Sequence, residues 1–126
     1  MTDVVTIGEA PLGLAELAAL YRGAGVRIDA GVWPRIDVAA RIVAAAAAGT
    51  APVYGVNTGF GKLASQRIAP AETAQLQRNL IRSHCCGVGP AMPHDIVRLM
   101  MASKIASLSR GASGVRRDVV ALLAAM

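Results

Sequence analysis

Apolar residues recur three and four positions apart along much of the chain, which is the spacing of one face of an α-helix. This pattern predicts a first helix over residues 12–21, and Gly23 suits the end of that helix. A second helix is predicted over residues 30–48, with Asp29 as its N-cap. The apolar stripe of the second helix consists of Val32, Ile36, Ala39, Val43 and Ala47. A stripe this narrow indicates that the helix buries only one side.

Three more helices are predicted downstream, over residues 71–84, over residues 94–110 and from about residue 116. The helix over residues 94–110 is apolar around most of its circumference, so we expect it to be buried among other helices. Residues 4–7 and 26–28 are predicted to be short extended segments. Aromatic residues make up only 3% of the chain, and strand-forming residues are sparse beside abundant alanine. The composition therefore disfavours an all-β fold, and the predicted fold class is mainly α.

Glycine-rich breaks separate several of the predicted helices. The longest break covers residues 50–64 and contains Gly55, Gly59 and Gly61. Structureless connections of this length inside a compact domain are usually functional. A shorter glycine-rich break follows at residues 87–90. The sequence therefore places its candidate chemistry in and around these loops.

Composition narrows the class of partner. The chain has 126 residues and a formal net charge of +5, but its basic residues are scattered and aromatic side chains for base stacking are few, which disfavours nucleic acid as a partner. The longest uncharged run, residues 42–61, is interrupted by one proline and four glycines, so it does not provide the ~20 consecutive apolar residues of a membrane span. The N-terminus lacks the pattern of a signal peptide. We therefore expect a cytoplasmic protein with no membrane partner.

Two cysteines, Cys85 and Cys86, are adjacent in the sequence. Two cysteines are too few for a disulfide framework, and they lack the ligand-spaced partners of a structural zinc site. The expected role of this pair is that of small apolar side chains at a helix end. We therefore expect no bound metal.

Two residues stand out as candidates for acid–base chemistry. Tyr54 lies in the long glycine-rich loop, where its hydroxyl could give or take a proton, or where its ring could simply anchor the loop. His84 follows Leu76 and Leu80 at intervals of four residues, so we expect its imidazole to extend an apolar face and point inward. It would then be either a core histidine satisfied by one hydrogen bond or an imidazole delivered to a pocket, with Ser83 beside it as a possible ligand contact.

Three segments resemble those of the aromatic amino acid ammonia-lyases. Residues 54–61 resemble the tyrosine loop of that family, residues 76–84 with residues 87–89 resemble its substrate-selectivity segment, and residues 110–116 resemble a third block. The resemblance covers essentially the whole chain but only the first quarter of such an enzyme. It implies a helical ammonia-lyase fold of the fumarase/aspartase-like kind, with the glycine-rich loop at the active site, and a homotetramer when complete.

The resemblance also implies a mechanism. The family uses methylidene-imidazolone, an electrophile made from an Ala-Ser-Gly segment, to activate an amino acid that then loses a β-proton and ammonia. By resemblance, Tyr54 is the catalytic acid or base, and His84 binds the substrate or helps to deprotonate it. The same resemblance implies that Ser83, Asn57 and Gly61 contact the substrate. The Ser83-His84 pair is typical of members that convert L-histidine into trans-urocanate. Tyrosine enzymes typically carry His-Leu at these positions and many phenylalanine enzymes carry Phe-Leu.

An Ala-Ser-Gly tripeptide does occur in this chain, at residues 112–114, but the Gly-Ser-Val-Gly-Ala-Ser-Gly-Asp context of the family's electrophile does not. We therefore expect the tripeptide to remain unmodified and the electrophile to lie outside the chain. The last predicted helix has no C-terminal cap, so residues 1–126 are expected to be the N-terminal portion of a longer lyase domain and to be inactive alone.

Other functions stay open from the sequence. Within the same chemistry, a tyrosine or phenylalanine ammonia-lyase or an aminomutase is the alternative. A helical binding module without catalytic activity is the alternative from another class.

Overall fold

The computed structural model describes residues 3–126, so Met1 and Thr2 lie outside the described part. The chain forms two compact units, one made of the residues up to Arg41 together with Ala91–Met126, the other of Ile42–Pro90. In chain order the elements are β1 (Val4–Ile7), α1 (Leu14–Tyr21), β2 (Gly25–Ile28), α2 (Trp33–Ala48), α3 (Pro70–His84), α4 (His94–Leu108) and α5 (Arg117–Ala125). The predicted mainly α fold class is thus confirmed.

The first unit begins with a β–α–β arrangement. Strands β1 and β2 pair in parallel, from Val4 opposite Gly25 to Ile7 opposite Ile28, and α1 connects them. Alternate residues of β1 are buried, which is the pattern of a strand with one covered face. The sequence predicted both extended segments but not their pairing.

One face of α2 closes the first unit. Asp29 accepts a hydrogen bond from the Gly31 backbone N–H at 2.7 Å, so it caps the short 3₁₀ turn Ala30–Val32 that leads into the helix. The predicted apolar stripe is buried at Val32, Ile36 and Ala39 and only half-buried at Val43 and Ala47. Together these contacts direct the start of α2 into the core.

The core of the first unit contains two clusters. The larger consists of Ile7, Val32, Ile36, Ile105, Leu108 and Val120, and the smaller of Val5, Leu20, Ala24 and Ala102. Helix α4 contributes to both clusters through a single face. The prediction that α4 is buried around most of its circumference was wrong, because no element of the described chain covers its other side, where Met100 is 57% exposed.

The second unit contains the end of α2, the long loop and α3. A 3₁₀ turn, Gly61–Leu63, interrupts the loop, and an isolated antiparallel bridge joins Thr58 to Arg67. Pro70 occupies the first turn of α3, where its missing N–H leaves no helical bond unmade. No residue of α3 is buried. None of the helices in the described residues combines the length and apolar character that a membrane span requires.

Candidate functional site

Tyr54 lies on the loop between α2 and α3. Its side chain is 64% exposed, and its ring packs edge-to-face on Phe60 with the ring centroids 6.1 Å apart. Within residues 3–126 the Tyr54 hydroxyl forms no hydrogen bond. The ring thus anchors the side chain while the hydroxyl stays accessible, so the two interpretations of this tyrosine are compatible.

Backbone pairing closes the loop that carries Tyr54. The Gly59 N–H donates to the Gln66 carbonyl, and the Ile68 N–H donates to the Asn57 carbonyl, each at 2.9 Å. These bonds flank the Thr58–Arg67 bridge. The sequence alone predicts a structureless loop here, but the paired backbone gives the loop a defined path.

Two glycines are required by this path for different reasons. A Cβ on Gly59 would lie 2.6 Å from the Cβ of Leu63, so the close approach of the chain excludes any side chain there. Gly61 has a φ of +56°, a conformation that other residues rarely adopt. The structure thus assigns Gly61 a conformational role, and its predicted contact with substrate stays a prediction.

Asn57 is the best-bonded side chain of the loop. It is 1% exposed, and its Oδ1 accepts from the Val53 N–H at 2.8 Å. Its Nδ2 donates to the carbonyls of Ala46 and Ala51, each at 3.0 Å. Both donors of the amide are therefore engaged with backbone, which favours a role in holding the loop over the predicted contact with substrate.

Gln77, which the sequence did not single out, joins α3 to the same loop. Its Nε2 donates to the carbonyl of Gly55, the residue after Tyr54, at 3.2 Å. Gln77 precedes His84 by seven residues, which is two helical turns, so both lie on one side of α3. That spacing is the signal by which the sequence could have identified it.

His84 differs from its prediction. We expected its imidazole to point inward, but the residue is exposed, as are all residues from 81 to 90. The physical reason is that no element of the described chain packs over this end of α3. The imidazole instead turns back on its own helix, with Nδ1 2.9 Å from the Leu80 carbonyl and 3.0 Å from the Ser83 Oγ.

The contacts of His84 favour one tautomer. Because Nδ1 faces a carbonyl oxygen, which can only accept, the proton belongs on Nδ1. The Ser83 hydroxyl also donates to the Leu80 carbonyl, at 2.9 Å. Nε2 of His84 then carries a lone pair that can accept a hydrogen bond or a proton. Ser83 thus orients the imidazole, and its own predicted substrate contact stays a prediction.

The Ala112-Ser113-Gly114 turn does not fit the methylidene-imidazolone electrophile. It lies between α4 and α5, where Ala112 and Ser113 are exposed and Gly114 has a φ of +67°. Cyclisation requires the glycine nitrogen to be forced onto the alanine carbonyl by enclosing side chains, and this open turn supplies none. Among the described residues there is also no cluster of three His, Cys, Asp or Glu side chains that could hold a metal ion.

The chain is similar in sequence to known enzymes. Residues 12–126 match the family model of the aromatic amino acid lyases. Over 122 residues the chain is 59% identical to the histidine ammonia-lyase of Bradyrhizobium diazoefficiens, and this match covers 97% of the chain but 24% of that enzyme. The chain thus spans about a quarter of the length of this relative.

Solved structures agree with the sequence match. Ergothionase from Treponema denticola, an ergothioneine-degrading enzyme, superposes with a TM-score of 0.87 at 27% identity, over 96% of this chain and 24% of that chain. Tyrosine aminomutase from Streptomyces globisporus superposes with a TM-score of 0.86 at 29% identity, over 96% of this chain and 23% of that chain. The expected ammonia-lyase fold is confirmed by these similarities.

Proposed function

The chain belongs to the aromatic amino acid lyase family, and from that premise we propose that it supplies the N-terminal quarter of a histidine ammonia-lyase. Such an enzyme eliminates ammonia from L-histidine and releases trans-urocanate. The observation that carries the proposal is the 59% identity to the Bradyrhizobium enzyme over 97% of the chain. The Gln77–Gly55 hydrogen bond joins the helix bearing His84 to the loop bearing Tyr54. The identity with the Bradyrhizobium enzyme favours histidine among the family's substrates.

Tyr54 supplies proton transfer in this proposal. Elimination breaks the Cβ–H bond and the Cα–N bond of the substrate, so a base must take the β-proton and the amino group must leave as ammonia. Tyr54 presents an accessible hydroxyl on a loop of defined path, which suits a group that gives and takes a proton. The electrophile that activates the amino acid comes, in this proposal, from sequence outside the chain.

His84 supplies recognition of the substrate side chain. Its Nε2 can accept a hydrogen bond from an imidazole N–H of histidine, because its Nδ1–H is held by its own helix. A phenyl ring has no such donor and would leave Nε2 unpaired, which a polar site penalises.

Tyrosine is the second candidate substrate. A phenol O–H can also donate to Nε2 of His84, and the superposition on tyrosine aminomutase shows that this fold accommodates enzymes named for tyrosine. The ratio of kcat/KM for histidine to kcat/KM for tyrosine distinguishes the two candidates. A helical binding module, the candidate from another class, would process neither amino acid.

Assembly and location are further parts of the proposal. The exposed apolar side chains of α3 and of the following segment, Ile81 at 61% and Val88 at 100%, support burial against other parts of a larger assembly, for which we propose a homotetramer. We propose a cytoplasmic location and no nucleic-acid or membrane partner.

The test uses what we call the complete enzyme, which is this chain followed by the remaining three quarters of a histidine ammonia-lyase, its own or that of Bradyrhizobium diazoefficiens. Purified complete enzyme should release ammonia from L-histidine while the ultraviolet absorbance of urocanate grows. Turnover of tyrosine or phenylalanine without turnover of histidine would show that the proposed substrate is wrong. A folded protein without lyase activity on any of the three would support the binding module.

A further inference from the structure

Two amide side chains hold the loop around Tyr54 through its backbone. Asn57 bonds to Val53 on one side of Tyr54, and Gln77 bonds to Gly55 on the other. Tyr54 is therefore bracketed by two residues whose backbone groups are each fixed by a side chain. Neither amide has an assigned role in the proposed reaction beyond the predicted substrate contact of Asn57.

Asn57 performs a task that few other side chains could perform. Ala46 lies in the last turn of α2, where helix carbonyls lack partners within the helix, and its carbonyl also accepts from the Gly49 N–H at 3.2 Å. The Nδ2 of Asn57 donates both to this carbonyl and to that of Ala51, while Oδ1 accepts from Val53. An aspartate has no donor for the two carbonyls, and a buried carboxylate facing them would be repelled.

Gln77 makes a weaker and more accessible contact. Its single bond to the Gly55 carbonyl is 3.2 Å long, and the side chain is only half-buried. Because Gln77 lies on α3 at some distance in sequence from the loop, it can be changed without altering the loop's own sequence. Gln75 on the same helix donates instead to Asn79 at 2.7 Å, within α3, and so provides a matched amide that does not touch the loop.

We propose that Asn57 and Gln77 are positioning residues that fix the Tyr54 hydroxyl for proton transfer. The proposal rests on the function proposed above. Proton transfer requires the hydroxyl to lie within hydrogen-bond reach of the reacting carbon's proton, and a displacement of about 1 Å can cost on the order of 10²-fold in rate. We call the hydrogen bonds of Asn57 and Gln77 to the loop backbone the two clamps. The clamps affect turnover through Tyr54, and substrate affinity depends on other groups.

The variants Gln77→Met, Gln77→Lys and Gln75→Met are compared in the complete enzyme. Methionine keeps the approximate length of glutamine and removes the donor, whereas lysine retains an N–H that can reach the Gly55 carbonyl. We expect Gln77→Met to lower kcat for histidine at least ~10-fold with KM changed less than ~3-fold. Gln77→Lys should recover most of that loss, and Gln75→Met should leave kcat within ~2-fold of the original.

The variant Asn57→Asp provides an independent test of the proposal. We expect it to lower kcat more than Gln77→Met does, because it removes two donors in a buried position. If this variant does not fold, the comparison of Gln77→Met with Gln77→Lys still tests the proposal. Hydrogen exchange of the peptide covering residues 50–60 supplies a readout without activity, and it should quicken ~10-fold in Gln77→Met but not in Gln75→Met.

Unchanged kcat in Gln77→Met, a change confined to KM, or an equal loss in Gln75→Met would each overturn the proposal. If the unaltered complete enzyme has no lyase activity, the proposed function fails, while loop exchange still shows whether the clamp exists. If the unaltered enzyme is active and the Gln77 variants match it in kcat and in loop exchange, the clamp alone fails.

Discussion

Arg117 and Asp37 form a two-pronged ion pair that joins α5 to α2. The arginine Nε lies 3.3 Å from Oδ1 of the aspartate, and its Nη2 bonds to Oδ2. The same guanidinium lies 5.0 Å from the centroid of the Trp33 ring. Because a planar guanidinium can satisfy a carboxylate with two parallel N–H groups while it stacks on a ring, lysine could not replace it fully.

Arg117→Ala should lower the melting temperature of the complete enzyme, by no more than about 5 °C, because the pair is partly exposed and such pairs contribute modestly. Arg116→Ala is the matched control. Arg116 pairs with Asp118 only at 3.9 Å and both side chains are largely exposed, so its loss should leave the melting temperature unchanged. Equal melting temperatures for the two variants, measured by calorimetry, would contradict the assigned role of Arg117.

The same pair predicts a dependence on pH. The hydrogen bond from Arg117, assisted by the charges of Arg117 and Arg41, holds the pKa of the Asp37 carboxyl below its ordinary value of 3.8. The folded state therefore binds this proton less readily than the unfolded state does. The stabilisation is fully present well above pH 3.8 and is lost as the pH falls through the lowered pKa.

Asp37→Asn isolates this contribution. The difference in melting temperature between the original protein and the variant should be largest near pH 7 and should shrink as the pH falls below about 4. A difference that stays constant over that range would mean that the carboxyl does not titrate with folding.

The sequence records some features of this fold and not others. The period of apolar residues predicted the helices to within a few residues, because one-sided burial leaves a regular record in the sequence. It did not predict the pairing of β1 with β2, because strands of four residues carry too little pattern to specify a partner. Nor did it predict whether a helix face has a neighbour, which is why the expected burial of His84 was wrong.

The sequence likewise predicted some parts of the candidate site and missed others. Tyr54 and the required glycines were recognisable from residue type and spacing in the loop. The clamping roles of Asn57 and Gln77 were not, because a hydrogen bond to backbone depends on where the chain returns in space. The sequence therefore identified the groups for which we propose chemistry better than the groups that hold the loop in place.

His84→Leu tests substrate recognition. The variant removes the Nε2 acceptor, so KM for histidine should rise about 3- to 10-fold, the range expected for one lost hydrogen bond, and kcat/KM should fall. The kcat/KM for phenylalanine, which has no side-chain donor, should not fall. His94→Leu, at the exposed start of α4, is the control and should match the original enzyme. Unchanged histidine kinetics in His84→Leu would remove the main residue-level support for a histidine substrate.

The isolated chain tests the placement of the electrophile. Cyclisation of Ala112-Ser113-Gly114 would remove two water molecules and create a near-ultraviolet chromophore. Since these residues form an open turn, the purified chain should show its unmodified mass and should produce no urocanate from histidine. A mass lower by two waters, or lyase activity of the chain alone, would show that the electrophile forms within residues 112–114.

The central claim is that Tyr54 transfers a proton in an ammonia-lyase reaction, and Tyr54→Phe in the complete enzyme tests it most directly. The substitution keeps the ring that packs on Phe60 and removes only the hydroxyl. Steady-state kinetics with L-histidine should show kcat lower by at least ~10²-fold and KM little changed, as expected for a lost general acid or base. Turnover close to that of the unaltered enzyme would contradict the claim and leave Tyr54 as an anchor of the loop.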